Sequence, residues 1–141
     1  MIRSLFSLCI VTLFSVNVSA NSTIDRLTES MCDYVKSDDR SNIRKKLRSA
    51  NLKLRHTYAG FVCQPEGDFP GGSLLRTATF YGATEVSSFL IKKMSRDDFQ
   101  LEEHDGVKTS VWMKEALASG SLKDVNKAKT IYSEAESRFG E

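Results

Sequence analysis

The residues of this sequence whose side chains could do chemistry are few, and the cysteines come first. The chain has three cysteines, of which Cys32 and Cys63 lie outside the apolar N-terminal segment. No CxxC redox pair and no second pair of Cys or His residues at zinc spacing accompanies them. In an oxidising compartment the economical interpretation is a disulfide, which would close a loop of about 31 residues and stabilise the fold by about 3 to 4 kcal/mol. A reactive or metal-binding thiol pair and two free thiols are the alternatives.

The two histidines do not suggest a catalytic or metal site. His56 lies between Arg55 and Thr57, which favours a structural or surface role. His104 stands in the acidic stretch LEEHDG, whose carboxylates could hold a metal, but adjacent residues on a flexible turn rarely converge on one ion. The sequence also contains no GxSxG and no glycine-rich phosphate loop. We expect no catalytic residues, no metal ligands and no cofactor; an enzyme would need a pocket that brings His56 or His104 beside a carboxylate.

The first twenty residues predict a signal peptide, and with it the oxidising compartment that a disulfide requires. Arg3 supplies a positive start, residues 4–16 are apolar apart from Ser and Thr, and residues 18–20 are small, as a signal peptidase requires. The apolar run is shorter than the roughly 20 residues of a membrane span. We expect a mature chain that begins at Asn21 and has lost Cys9. It would be periplasmic in a Gram-negative bacterium and secreted otherwise, with no transmembrane segment.

Charge is unevenly distributed along the chain. Residues 40–55, RSNIRKKLRSANLKLR, carry seven basic side chains and no acid, whereas residues 97–141 hold ten acids against six bases. A solvated helix face and a surface that attracts anions are both compatible with the basic run. The missing aromatic platform and the predicted export argue against nucleic acid. The residues that we predict to bind a partner are Arg44, Lys45, Arg48, Lys53 and Arg55.

Helical periodicity predicts the elements that carry these residues. The mature chain of about 121 residues is long enough for one hydrophobic core, so residues 21–141 form a single domain. A first helix over 23–36 would bury Ile24 and Met31, and a second over 39–49 would bury Ile43 and Leu47. Residues 51–58 permit a short helix or a strand. Residues 63–72, CQPEGDFPGG, contain both prolines and predict a surface loop.

Residues 71–94 predict two helices folded back on each other at Gly82, a residue that reaches positive φ without steric cost. This stretch resembles an ankyrin repeat, in which Thr-Pro-Leu-His-Leu-Ala-Ala is followed by Gly-His-Leu-Glu-Val-Val and a Leu triplet. Leu74 and Arg76 stand where the family has Pro and His. The residues that match in order and spacing are Ser73, Leu75, Ala78, Gly82, Glu85, Val86, Phe89, Leu90 and Ile91.

A second, stretched copy of the pattern covers residues 106–139. Gly120 corresponds to Gly82, and a long last helix over 121–139 would cap the open end of a repeat stack. The sequence therefore predicts an all-α protein of about seven helices, a short ankyrin-like stack of helical hairpins with one disulfide. Repeat scaffolds of this kind usually bind other proteins, and the resemblance implies the same here.

Residues 31–94 also resemble a family of small secreted bacterial proteins of unknown function. The resemblance implies an exported protein built of helical hairpins and brings no activity with it. It rests on Cys32, Asp38-Asp39-Arg40, Arg44-Lys45-Lys46-Leu47, Tyr58, Cys63, Ser73-Leu74-Leu75-Arg76 and Ala78.

The leading hypothesis is a small, non-enzymatic module that binds an acidic protein through its repeat surface or its basic segment. The alternative is peripheral attachment to anionic envelope lipid or polysaccharide through the same basic segment, residues 40–55. Salt-sensitive binding to anionic vesicles would distinguish the alternative from protein binding.

Overall fold

The computed structural model describes residues 19–140, and in this part of the chain the predicted all-α class with one disulfide is confirmed. A 3-10 turn at Tyr58–Gly60 and two short antiparallel strands, β1 (Val62–Cys63) and β2 (Gly72–Ser73), complete the fold. The α-helices are α1 (Ser19–Lys36), α2 (Arg40–Ser49), α3 (Leu54–Thr57), α4 (Leu74–Tyr81), α5 (Thr84–Lys93), α6 (Arg96–Gln100), α7 (Thr109–Ser119) and α8 (Val125–Phe139).

Six of the helices form three hairpins, α1–α2, α4–α5 and α7–α8, that pack side by side. The first helices contact each other in the order α1, α4, α7, and the second helices do so in the order α2, α5, α8. Each of the six contributes at least one side chain that is almost completely buried, and fully burying one such side chain stabilises the fold by about 1.5 to 3 kcal/mol. Examples in helix order are Met31, Ile43, Leu75, Leu90, Met113 and Ile131.

Two glycines terminate the first helices of the second and third hairpins. Gly82 follows α4 with φ 71° and Gly120 follows α7 with φ 69°, and their backbone N–H groups donate to the carbonyls of Ala78 and Ala116. A left-handed residue at this position lets the chain reverse while the last carbonyls of the helix stay hydrogen-bonded. The helical turns that the sequence predicts at Gly82 and Gly120 are confirmed.

The disulfide joins Cys32 of α1 to Cys63 of β1, with the two Cα atoms 5.7 Å apart. β1 pairs with β2, which leads directly into α4, so the bridge fastens the first hairpin to the start of the second. The loop between the strands is held by Phe69, whose ring is buried and lies 5.1 Å from that of Phe80.

Helix α1 departs from expectation in two respects. Helix α1 begins at Ser19 and not at residue 23, and Ile24, which we predicted to be buried, is 60% exposed, as its neighbours in this part of α1 are also exposed. Of the predicted signal peptide, residues 1–18 lie outside the described residues. Between residues 19 and 140, none of the helices has both the length and the apolar character needed to cross a membrane.

Candidate functional site

A groove of about 470 Å³ lies between α2, α5 and the segment that follows α2, and we call it the basic groove. Six of its lining residues are basic, four are apolar and none is acidic. The lining consists of Arg44, Leu47, Arg48, Leu52, Lys53, Leu54, Arg55, Phe89, Lys92 and Lys93.

The six basic side chains of the groove form no close ion pair with the acidic residues that the structure describes. Among the described residues, ion pairs within 4.0 Å involve other cations, and none includes a basic side chain of the groove. Helices α2 and α5 end here, and cations in a last turn interact favourably with the helix dipole. That dipole amounts to about half a charge per helix end. Most of the positive charge therefore remains available to an external anion.

The floor of the basic groove is apolar. Leu47 and Leu54 are only 6% and 4% exposed, whereas Leu52 and Phe89 are half-buried. The cations surround this floor from three segments, since two lie on α2, two on residues 53–55 and two on α5. The site therefore combines a positive rim with a recessed patch of hydrocarbon.

Two adjacent aspartates fix the helices that form the walls of the groove. Asp39 is the N-cap of α2 and accepts a hydrogen bond from the backbone N–H of Asn42 at 2.9 Å, and hydrogen bonds from Asn42 lower the pKa of its carboxyl group. Asp38, in the left-handed region at φ 56°, accepts from the backbone N–H of Val86 at 2.8 Å and so caps α5 from a distance. One turn thus positions both walls of the groove.

Four of the five predicted partner-binding residues line the basic groove: Arg44, Arg48, Lys53 and Arg55. The structure places the fifth, Lys45, on the exposed surface of α2 outside the groove lining. Sequence reasoning missed the contribution of α5. A signal for it was present, because Phe89, Lys92 and Lys93 stand at i, i+3 and i+4 and therefore share one face of a helix.

A second polar cluster is centred on Arg76, whose side chain is completely buried in α4. Its Nη1 donates to Oδ2 of Asp105 at 2.7 Å, and its Nη2 donates to Oδ1 of Asp105 at 3.1 Å and to the carbonyl of Val107 at 2.7 Å. Nε lies 2.9 Å from Oε1 of Glu103, an ion-pair distance, although the N–H direction does not make a hydrogen bond. The guanidinium also lies 5.2 Å from the ring centre of Trp112. This arrangement ties the turn after α6 to α4.

The carboxylate of Glu103 is fully engaged inside this cluster. Its Oε2 accepts from the backbone N–H of Ser73 at 2.7 Å, and its Oε1 accepts from the hydroxyl of Thr109. Gly72 precedes this contact with φ 138°, and a Cβ there would lie 2.7 Å from Oε2 of Glu103. The approach therefore requires glycine at position 72.

A small cavity of about 190 Å³ beside the cluster is lined in part by His104 together with Asp98, Glu102 and Glu103. The other histidine, His56, is exposed on α3. Glu103 is held by its other partners and is not a free base. Across residues 19–140, no group of His, Cys, Asp and Glu side chains is arranged to hold a metal ion.

Comparison with known proteins identifies the family of the chain. No curated protein and no solved structure matches it, so the ankyrin resemblance stays a prediction. A family model described as "Protein of unknown function (DUF3718)" matches residues 31–101, half of the chain, and this confirms the resemblance to a family of unknown function. The matched residues include both bridged cysteines and every residue of the basic groove. The chain therefore belongs to the DUF3718 family of proteins of unknown function.

Proposed function

We propose that this chain is a small exported, non-enzymatic protein that binds an acidic protein partner in the basic groove. The observation that carries the proposal is a set of six cations around an apolar floor, none of which has an ion-pair partner within residues 19–140. Guanidinium groups bind carboxylates through two parallel hydrogen bonds, and three of the six cations are arginines. Each pair at the solvated rim contributes about 0.2 to 1 kcal/mol, and together the cations accelerate encounter with an acidic surface.

The rigidity of the groove supports binding as its role. Its walls are helices whose N-termini are capped by Asp38 and Asp39, and they are packed against the core of the hairpins. A preformed surface loses little conformational entropy when a partner binds, so more of the contact energy appears as affinity. An ankyrin-like use of the hairpin surface would benefit in the same way.

Export of the mature chain completes the proposal. The predicted signal peptide at residues 1–20 and the Cys32–Cys63 disulfide support it, because disulfides persist mainly in oxidising compartments. The periplasm is the expected location in a Gram-negative bacterium.

The shape of the groove favours a protein over a lipid surface. Helices that lie on membranes insert outward-facing apolar side chains into the interface. Here the apolar floor is recessed beneath the cations, and the exposed large apolar side chains among the described residues do not line the basic groove. These side chains are Ile24, Val62, Leu101 and Val111.

The test is site-specific crosslinking in the native envelope, with a photoreactive residue at the exposed Ser49 beside the groove. We expect crosslinks to an acidic protein that fall at least about tenfold in the Arg44→Glu/Arg48→Glu variant, since two attractions become repulsions. The matched control is Lys114→Glu/Lys129→Glu, which changes net charge equally at exposed positions outside the groove. The captured protein, once purified, must also bind the purified mature protein.

Two results would contradict the proposal. Crosslinks that are equally strong in both double variants would show that the basic groove is not the binding site. Salt-sensitive sedimentation of the purified protein with anionic vesicles, in the absence of any groove-dependent crosslink, would establish the lipid alternative instead.

A further inference from the structure

We infer, on the basis of the proposed function, that the occupant of the basic groove is an acidic protein segment with an apolar anchor side chain that covers Leu52 and Phe89. The apolar floor of the groove is the reason to expect an apolar anchor. Leu47 and Leu54 are already covered by the protein, whereas Leu52 and Phe89 remain half-buried in a groove that six cations also line. A purely anionic ligand would neutralise the rim and leave this hydrocarbon in water.

The positions of the cations predict where acidic residues lie in the segment that occupies the groove. Cations come from α2, from residues 53–55 and from α5, so they flank the apolar floor on more than one side. An occupant that uses both features carries acidic residues before and after its anchor. Arg44 and Arg48 are four residues apart on α2, about 6 Å along the helix axis. This spacing fits acids at alternate positions of an extended segment, which are about 6.6 Å apart.

Aromatic and aliphatic anchors in pockets dominate the affinity of many interfaces, while charged rims contribute more to specificity and encounter rate. The rim and the floor of the groove should therefore contribute to binding in different ways. Loss of rim cations should weaken every acidic ligand, whereas loss of the floor should weaken only ligands that carry an anchor.

The experiment measures binding of two labelled peptides to the purified, disulfide-bonded mature protein. Both peptides have acids at alternate positions and equal charge, and they differ only in a central Phe or Gly. On the unmodified protein we expect the Phe peptide to bind about tenfold more tightly, with the ratio preserved as salt rises. The ratio should fall toward one in Phe89→Ala and Leu52→Ala, and should be unchanged in Leu101→Ala, a matched loss of an exposed apolar side chain outside the groove.

The outcomes distinguish this inference from the proposed function. Equal affinity of the two peptides, with both lost in Arg44→Glu/Arg48→Glu, would overturn the anchor and leave acidic-partner binding in place. Failure of both peptides to bind, with no groove-dependent crosslink in the envelope, would overturn both. The first comparison uses the unmodified protein, so poor folding of Phe89→Ala cannot obscure the result.

Discussion

Replacement of Arg76 by methionine should cause a large loss of stability, because this side chain is the buried cation of the cluster that ties residues 103–107 to α4. The guanidinium is completely buried and is bonded to both carboxylate oxygens of Asp105 and to the carbonyl of Val107. Methionine keeps much of the volume and removes the charge. The substitution therefore removes the charge and its hydrogen bonds while it keeps most of the apolar packing.

The size of this stability loss follows from the carboxylates that lose Arg76 as their partner. The side chain of Glu103 is only 7% exposed, so its charge would be left buried, whereas Asp105 at 32% can regain water. Removal of one partner of a buried pair costs about 3 to 5 kcal/mol. This is a fifth or more of the roughly 5 to 15 kcal/mol that stabilises a typical domain. With a denaturant slope of about 1.5 kcal/mol/M, the urea midpoint should fall by about 2 to 3 M.

The assay is equilibrium urea unfolding of the oxidised protein followed by circular dichroism. Arg26→Met, at an exposed position of α1, is the control and should change the midpoint little. The double variant Arg76→Met/Glu103→Gln removes the stranded charge and should recover part of the loss. A loss below about 1 kcal/mol in Arg76→Met, or a double variant no more stable than the single one, would show that removal of Arg76 leaves no costly buried charge at Glu103.

Three further predictions follow from the same region and from the disulfide. Gly72→Ala should destabilise the protein by about 2 to 4 kcal/mol in thermal unfolding, because the new Cβ would lie 2.7 Å from a buried carboxylate oxygen at a φ of 138°. Cys32→Ser/Cys63→Ser should lower the free energy of unfolding by about 3 to 4 kcal/mol, measured by urea titration. The hydrogen bond from Arg76 holds the pKa of Asp105 below its ordinary value. Its contribution to stability is therefore fully present above the unfolded pKa of about 3.9 and is lost as pH falls through the lower folded pKa, and Asp105→Asn should flatten this acid loss in thermal scans.

Each of these predictions has its own control. Gly67→Ala also places a side chain at positive φ but meets no atom within 4 Å, so an equal loss there would show that close approach at Gly72 is unimportant. If Cys32→Ser/Cys63→Ser is as stable as the oxidised protein, the disulfide does not stabilise the fold. Asp97→Asn, at an exposed site on α6, should leave the acid dependence unchanged, and the same flattening there would contradict the role of Asp105.

Local signals predicted most of the fold. The second helix was expected over 39–49 with Ile43 and Leu47 buried, and the structure has Arg40–Ser49 with both side chains buried. The disulfide followed from the cysteine count and predicted export. The prediction that Ile24 is buried was wrong, because periodicity shows which face of a helix is apolar but not whether another element covers that face.

The contacts that position the candidate site could not be read from the sequence. Asp38 caps α5 through Val86, 48 residues away, and Arg76 meets Asp105 across 29 residues. Such pairs use common residue types at no fixed spacing, so only the folded chain brings them together. For the same reason the basic segment at residues 40–55 was predicted to bind a partner, whereas the contribution of α5 to the groove was not predicted.

The position of the disulfide has a consequence for the chain after proteolysis. Cys32 and Cys63 enclose residues 33–62, and four exposed basic residues of the groove lie within that closed ring: Arg44, Arg48, Lys53 and Arg55. These are the side chains at which trypsin-like proteases cut. A single cut there leaves both fragments covalently joined, so a nicked molecule migrates as one species on a non-reducing gel and separates into two only after reduction.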